Sequence, residues 1–323
     1  MIPGCDTCKQ HKTNQPKNHG LLQPIVTHYP FELVGIDIKG PYKTSSAGNT
    51  YILVCIDYYT NWVEAMPLET ITTEEVINKF FHMVIARHGC PTKLISDQGR
   101  QFISKIFKSL CLRFHIEKVE TTAYHQQCNG KVEKFGKFLV DTLSTALSRD
   151  QSDWDTLIDS ALFSYRISIN AATNENPFFL LHGRDPILPQ DLFIPVDATN
   201  LRQIRNDDLH EYKSKQLETL QLAYTKLNQF KAAKQLKYKN YYDKTHRQVE
   251  FTIGSQVMLY TPRTIKGFST KFLKRWTGPY KIINKITDLN YRIESLSTKK
   301  IESVHVQRLR KYKPWNNASK TAT

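Results

Sequence analysis

Apolar residues change their spacing several times along the chain, and each spacing predicts an element. Three strand-length runs open it, over 33–38, 50–57 and 61–65. The second sets Tyr51, Leu53 and Cys55 on one face and Ile52, Val54 and Ile56 on the other. Runs this close together read as an antiparallel meander. From Glu74 the period becomes helical: Val76, Ile77, Phe80, Phe81 and Val84 share one stripe over 74–88, which Gly89 and Pro91 bring to an end. A short strand over 93–96 runs into Asp97-Gln98-Gly99, followed by a helix over 102–114 and a brief strand over 117–119. Val132, Phe135, Leu139, Leu143 and Ala146 mark the buried face of a helix over 130–147, with another over 154–170 and a Pro-rich stretch over 177–195. Strands first, then strand and helix in alternation, predict one mixed α/β domain over 25–195.

The pattern then changes twice. Residues 205–245 read as one long helix whose Leu217, Leu220, Tyr224 and Leu227 step by 3, 4 and 3. Such a seam serves either coiled-coil pairing or docking on a neighbouring domain. Over 249–313 short strands separated by Gly-Pro turns predict a small β-barrel. The expected organisation is a polar N-terminal segment (1–24), the α/β domain (25–195), a helical linker (196–248), the barrel (249–313) and a basic, polar tail (314–323).

Charge sharpens this division. The chain has 323 residues and a formal charge of +15. Residues 201–323 hold 26 Lys and Arg against 9 Asp and Glu, whereas the first 200 residues hold 19 against 21. The whole basic excess therefore belongs to the C-terminal third. That excludes an acidic disordered protein and points to a polyanion, nucleic acid before a membrane surface. No apolar run approaches the ~20 residues of a membrane span, and Met1-Ile2-Pro3-Gly4 has no secretory pattern. The six cysteines are too scattered for a secreted disulfide framework, so an intracellular setting is expected.

Three acids stand out by context. Asp37 interrupts the apolar strand Val34-Gly35-Ile36-Asp37-Ile38, on the face opposite Val34, Ile36 and Ile38, where Gly35 clears space. Asp97 lies where a strand ends, and Glu133 on the first turn of a helix, one position off its buried stripe. Converging carboxylates repel one another unless a cation sits between them, and Mg²⁺ suits a few hard oxygens together with phosphate. Two such ions about 4 Å apart can clamp both oxygens of a phosphodiester displacement. Separately, each acid also has a local explanation: a sheet-edge acceptor, a turn residue before Gly99, and a helix N-terminal acid. Asp57, at the end of the second strand, reads as a turn cap.

Gly35-Ile36-Asp37, then Ser96-Asp97-Gln98-Gly99-Arg100-Gln101-Phe102, then Tyr124-His125-Gln126-Gln127-Cys128-Asn129-Gly130-Lys131-Val132-Glu133-Lys134 together resemble the catalytic core of retroviral and retrotransposon integrases, nearest to Gypsy-type (Ty3-like) elements. The 35 residues between Asp97 and Glu133 match that family's spacing. The resemblance implies an RNase H-like fold, a mixed five-stranded sheet with flanking helices, followed by the helical linker and an SH3-like barrel. It further implies that Asp37, Asp97 and Glu133 hold two Mg²⁺ or Mn²⁺ ions, for processing of the element's 3′ ends and strand transfer into target DNA. It implies double-stranded DNA as substrate, both element ends and target, a homo-multimer, action in the nucleus and no membrane partner. Lys134 and Lys137 are candidate phosphate contacts beside Glu133. The sequence departs from the family pattern at Gln126, Cys128 and Gly136, none of them an expected metal ligand.

Both flanks extend the resemblance. Cys5 and Cys8 match the second half of a His-His-Cys-Cys zinc domain, and Zn²⁺ binding there requires a His pair supplied upstream. Phe272-Leu273-Lys274-Arg275-Trp276-Thr277-Gly278-Pro279-Tyr280 resembles the GPY/F module of Gypsy-type integrases, with Val304-His305-Val306-Gln307-Arg308-Leu309-Arg310 as its closing strand. Trp276 and Tyr280 read as barrel core, and Lys271, Lys274, Arg275, Arg308, Arg310 and Lys311 as phosphate contacts. The leading reading is a retroelement integrase. The second is a degenerate or domesticated DNA-binding relative without integration activity.

Overall fold

The apolar runs at the start of the chain become β1 (Leu33–Lys39), β2 (Tyr51–Asp57) and β3 (Val63–Leu68), an antiparallel meander. The structure, a computed structural model, describes residue 10 and residues 19–97, 99–120, 130–188, 206–261 and 272–312, with backbone alone at Glu120, residues 206–210 and Tyr212. Two further strands, β4 (Lys93–Ser96) and β5 (Glu117–Glu120), add in parallel on the far side of β1, giving the order β3-β2-β1-β4-β5. This is the expected mixed five-stranded sheet with flanking helices. Both faces are covered, which is why β2 is apolar on both sides. One face sets Ile52, Val54 and Ile56 against Val132, Phe135 and Leu139, and the other sets Val34, Ile36, Leu53 and Cys55 against Val76, Phe80 and Phe107.

The helices follow the predicted stripes with three local differences. The helix over 74–88 is α1 (Thr73–Phe80), capped by the Thr72 hydroxyl, which continues through a π-helical turn (Phe81–Ile85) to a last turn at Ala86–His88. The single helix expected over 102–114 is two, α2 (Arg100–Ile103) and α3 (Lys105–Arg113). Ser104 adopts an extended backbone between them, and its hydroxyl accepts from Phe107 N at 3.2 Å, so it caps α3 rather than continuing α2. After α4 (Gly130–Ala146), the helix expected from Trp154 begins later, as α5 (Ile158–Ile167). Trp154 instead buries its ring and donates Nε1–H to Lys43 O at 2.8 Å. Within the Pro-rich stretch, α6 (Pro177–His182) has Asn176 as N-cap and Pro177 in its first turn.

The long helix is α7 (Asn206–Asp243). The described residues form two compact units, and α7 contributes to the first as far as Leu236 and to the second from Lys237. In the first unit its seam docks: Leu227 is buried with Tyr59 and Leu180, and the Tyr224 hydroxyl donates to Leu180 O at 2.9 Å. Leu217, the first residue of the predicted seam, is exposed. The second unit holds residues 19–24 and an antiparallel sheet of β6 (Gln256–Tyr260), β7 (Trp276–Lys285), β8 (Asn290–Ser295), β9 (Ile301–His305) and β10 (Leu309–Lys311), in the order β10-β6-β7-β8-β9. Val257, Leu259, Ile282, Tyr291, Ile293 and Val304 fill its core, as a small barrel-like module requires. Among the described residues no helix is long and apolar enough to cross a membrane.

Candidate active site

β1 places Gly35, Asp37 and Lys39 on one face by strand alternation. Parallel pairing ends with Ile36 opposite Ser96, so Asp37 and Asp97 are the next residues along two adjacent strands, close enough for the charge of Asp97 to be felt at Asp37. Asp37 is buried, 8% exposed, whereas Asp97, just beyond β4, is exposed and accepts from Gly99 N at 2.9 Å. Burial pushes the Asp37 carboxyl above the usual carboxylate range and the charge of Asp97 adds to the rise. Lys39, 2.6 Å away, and the Ile38 N–H, which donates at 2.9 Å, pull it back.

α4 crosses this same face. A Cβ built on Gly35 would stand 2.5 Å from Val132 Cγ2, so only glycine admits the helix there. One turn on, Gly136 lies against the Lys39 side chain. Glu133, between these two contacts in sequence, is exposed on the first turn of α4. The fold thus puts Asp37 and Asp97 on adjacent strands and Glu133 on the helix that packs on β1. Among the described residues no three His, Cys, Asp or Glu side chains group closely enough to hold one metal ion. The donor chemistry suits a divalent cation, because Asp37 and Asp97 offer hard carboxylate oxygens on adjacent strands, and the Lys39 ammonium shows that a cation is accommodated at Asp37. Lys39 is the site residue that the sequence reading missed. Its signal was its place two residues from Asp37 on the same strand face.

Two other buried acids are excluded by their partners. Asp57, 1% exposed, accepts from the N–H groups of Phe31, Tyr59 and Thr60 and from the Thr60 hydroxyl. It is the turn cap the sequence suggested. Glu64, which the sequence did not single out, accepts from Trp62 Nε1 at 2.9 Å and pairs with His88 at 2.8 Å and Arg166 at 2.9 Å. Burial works against its charge, but His88, Arg166 and Trp62 together hold the carboxyl below its ordinary value.

Known proteins are similar to this chain in sequence and in fold. A family profile described as the integrase core domain matches residues 27–126, which span Asp37 and Asp97 and stop short of Glu133, and a second, integrase p58, C-terminal domain, matches residues 278–311. Residues 27–126 are similar to an integrase core domain. The retrovirus-related Pol polyprotein from transposon 412 of Drosophila melanogaster is 28% identical over 285 residues, 88% of this chain and 22% of that polyprotein. The transposon Tf2-3 polyprotein of Schizosaccharomyces pombe is 26% identical over 321 residues, 97% of this chain and 23% of that polyprotein. The chain therefore spans less than a quarter of the curated relatives it matches. In fold it is similar to a chain of the cryo-EM structure of the simian T-cell lymphotropic virus intasome in complex with PP2A regulatory subunit B56 gamma, with a TM-score of 0.54 and 15% identity over 95% of this chain and 87% of that one. These likenesses are those of a retrotransposon integrase.

Around the integrase core, Lys134 and Lys137 are exposed on α4, open to a phosphate. In the C-terminal sheet Lys274 and Lys311 are exposed and Arg275 is half-buried. Arg308 differs from the sequence expectation: it is 6% exposed and donates Nε–H to Tyr260 O at 3.0 Å, a buried structural contact rather than a phosphate-facing one. The 3₁₀ turn Val306–Arg308 directs it inward. Arg310 lies over the Trp276 ring at 4.5 Å, and Trp276 is fully buried, as expected of barrel core. Lys271, Cys5, Cys8, Gln98 and the segment from Tyr124 to Asn129 lie outside the described residues.

Proposed function

We propose that this chain is the integrase of a Gypsy-type retroelement, acting as a multimer on double-stranded DNA in the nucleus. Its reactions are metal-dependent processing of the element's 3′ ends and transfer of those ends into target DNA. The observation that supports the reading is the parallel β1–β4 register, whose last pair is Ile36 and Ser96, so that Asp37 and Asp97 follow on adjacent strands, while the contacts of α4 at Gly35 and Lys39 flank Glu133 in sequence. Asp37, Asp97 and Glu133 would hold two Mg²⁺ or Mn²⁺ ions, which when bound supply charge stabilisation to both oxygens of an in-line phosphodiester displacement. The chain's own contribution is placement. Asp37 is fixed by strand and helix, Asp97 by the strand end and its bond to Gly99 N, and exposed Lys134 and Lys137 attract the DNA backbone from α4. The basic excess of residues 201–323 supplies affinity that the near-neutral core lacks. Bond energy is conserved in the transfer, so no nucleotide-binding loop is required.

The test is a strand-transfer assay with labelled element ends, target DNA and Mg²⁺. Joined product that disappears in Asp97→Asn, with unchanged circular dichroism, supports the reading. DNA binding without cleavage or joining by folded protein overturns it in favour of a DNA-binding relative.

A further inference from the structure

The cation beside Asp37 comes from its own strand. Lys39 Nζ lies 2.6 Å from Asp37 Oδ2, and the two side chains are 25% and 11% exposed. The lysine stem reaches this position by passing over Gly136 of α4. A Cβ built on Gly136 would stand 2.4 Å from Lys39 Cε, 3.3 Å from Cδ and 3.4 Å from Nζ. The stem thus occupies the space that any other residue at 136 would fill. The helix is rigid here and the lysine end is not, so a side chain at 136 moves the ammonium and not the backbone. The sequence had marked Gly136 only as a departure from the family pattern. The structure gives the absent side chain a use.

An Mg²⁺ ion bonds carboxylate oxygen at about 2.0–2.1 Å. On the oxygen that now accepts from Lys39, such an ion would face an ammonium within about 4 Å, where like charges repel strongly in a half-buried site. One of the two cations has to go. We propose that Lys39 is a tethered counter-ion that occupies the cation position at Asp37 and must leave before a divalent ion binds, with Gly136 as the clearance that lets it lie there. This deepens the integrase reading and rests on Asp37 being a metal ligand. Lys39 touches no reacting atom. It sets the fraction of chains in which Asp37 is free, and apparent metal affinity falls by that fraction. Until the metal arrives, it shields the buried carboxylate from the repulsion of Asp97.

The test is direct Mn²⁺ binding to the full chain without DNA, by titration calorimetry, for wild type, Lys39→Met, Gly136→Ala and Asp37→Asn. The expected result is binding about tenfold tighter in Lys39→Met, and tighter by a smaller factor in Gly136→Ala, where Lys39 is still present but displaced. Equal or weaker Mn²⁺ binding by folded Lys39→Met overturns the proposal. Should Lys39→Met lose its helical circular dichroism, Gly136→Ala decides alone, because alanine favours the helix and leaves the lysine in the chain. Unchanged affinity in that variant is then the overturning result. Equal Mn²⁺ binding by wild type and Asp37→Asn would instead remove the metal-site assignment itself, an outcome distinct from the others.

Discussion

Asp37 and Asp57 stand on neighbouring strands and are both buried, 8% and 1% exposed, yet their surroundings assign them opposite tasks. Asp57 accepts from Phe31 N at 3.0 Å, Tyr59 N at 3.2 Å, Thr60 N at 2.9 Å and the Thr60 hydroxyl at 2.6 Å. Asp57→Ala leaves these four donors without their acceptor in a turn closed to water. An unsatisfied buried donor costs about 1–3 kcal/mol, and relaxation of the turn together with relief from burying a carboxylate returns part of the sum. The expected loss is about 3–5 kcal/mol, a large share of the roughly 5–15 kcal/mol that holds an ordinary domain folded. Asp37 holds one backbone donor and Lys39, and burial and Asp97 already disfavour its charge. Asp37→Asn keeps an acceptor and removes that charge, so its stability change stays within about 1 kcal/mol. Urea unfolding followed by the fluorescence of Trp62 and Trp154, both in the unit that holds Asp37 and Asp57, reads the two variants side by side. An Asp37→Asn loss as large as that of Asp57→Ala would make Asp37 a structural acid and refute the site assignment. An Asp57→Ala chain as stable as wild type would refute the account of the turn.

Arg308→Ala should destabilise the C-terminal sheet by about 2 kcal/mol in thermal unfolding through its lost bond to Tyr260 O. Lys274→Ala and Lys311→Ala should leave stability unchanged and each lower the salt slope of DNA binding by about 1. Lys231, held by Thr27, Tyr58 and Tyr59, is pulled down to about 8, chiefly by burial. An unfolded lysine titrates near roughly 10.4, so the unfolded chain binds that proton more tightly, and the burden of the buried charge is complete below pH 8 and relieved above it. Lys131, pulled to about 7, adds the same sign, while Tyr165 and Tyr224, pushed up to about 12, oppose it above pH 10. Cys55 and Cys111, whose thiols burial pushes up, oppose it from about pH 8.5 upward, so the readout is a difference: from pH 8 to pH 10 the urea midpoint of wild type should rise relative to that of Lys231→Met. Among the described cysteines, exposed Cys90 should react with a thiol reagent in the native chain, and buried Cys55 and Cys111 only on unfolding, as mass mapping would show.

The sheet and α4 were legible in the sequence because their periods, 2 and 3.6, are unambiguous over their lengths. Asp37 was legible because an acid inside an apolar strand contradicts its surroundings. Other features depended on tertiary contacts. Ser104 sits within an apolar periodic run, and only its hydroxyl's bond to Phe107 N splits the helix. The seam of α7 suits a coiled coil as well as docking until Leu227 is seen among Tyr59 and Leu180. Arg308 sits in a basic stretch that suits phosphate contact, and the 3₁₀ turn alone turns it inward. Lys39 has the look of a solvated strand end, and the crossing of α4 over β1, with Val132 on Gly35 and Gly136 on Lys39, is what lets it lie back on Asp37.

The π-helical turn after α1 has a consequence for how this chain tolerates insertions and deletions. Ala86 N–H reaches back five residues to Phe81 O, so the turn holds about one residue more than an α-helical path would need. The turn takes that surplus residue up as a bulge, so the helix on either side keeps the facing that an α-helical path one residue shorter would give. His88, 2.8 Å from Glu64 and stacked on Phe31 with ring centroids 4.6 Å apart, therefore meets the sheet despite the extra residue. Deleting one residue between Phe81 and Ile85 would leave a regular helix with His88 close to its present position. One residue deleted from the regular turns of α1 would instead rotate all that follows by about 100°, so the bulge is the place in this helix where residue number can change.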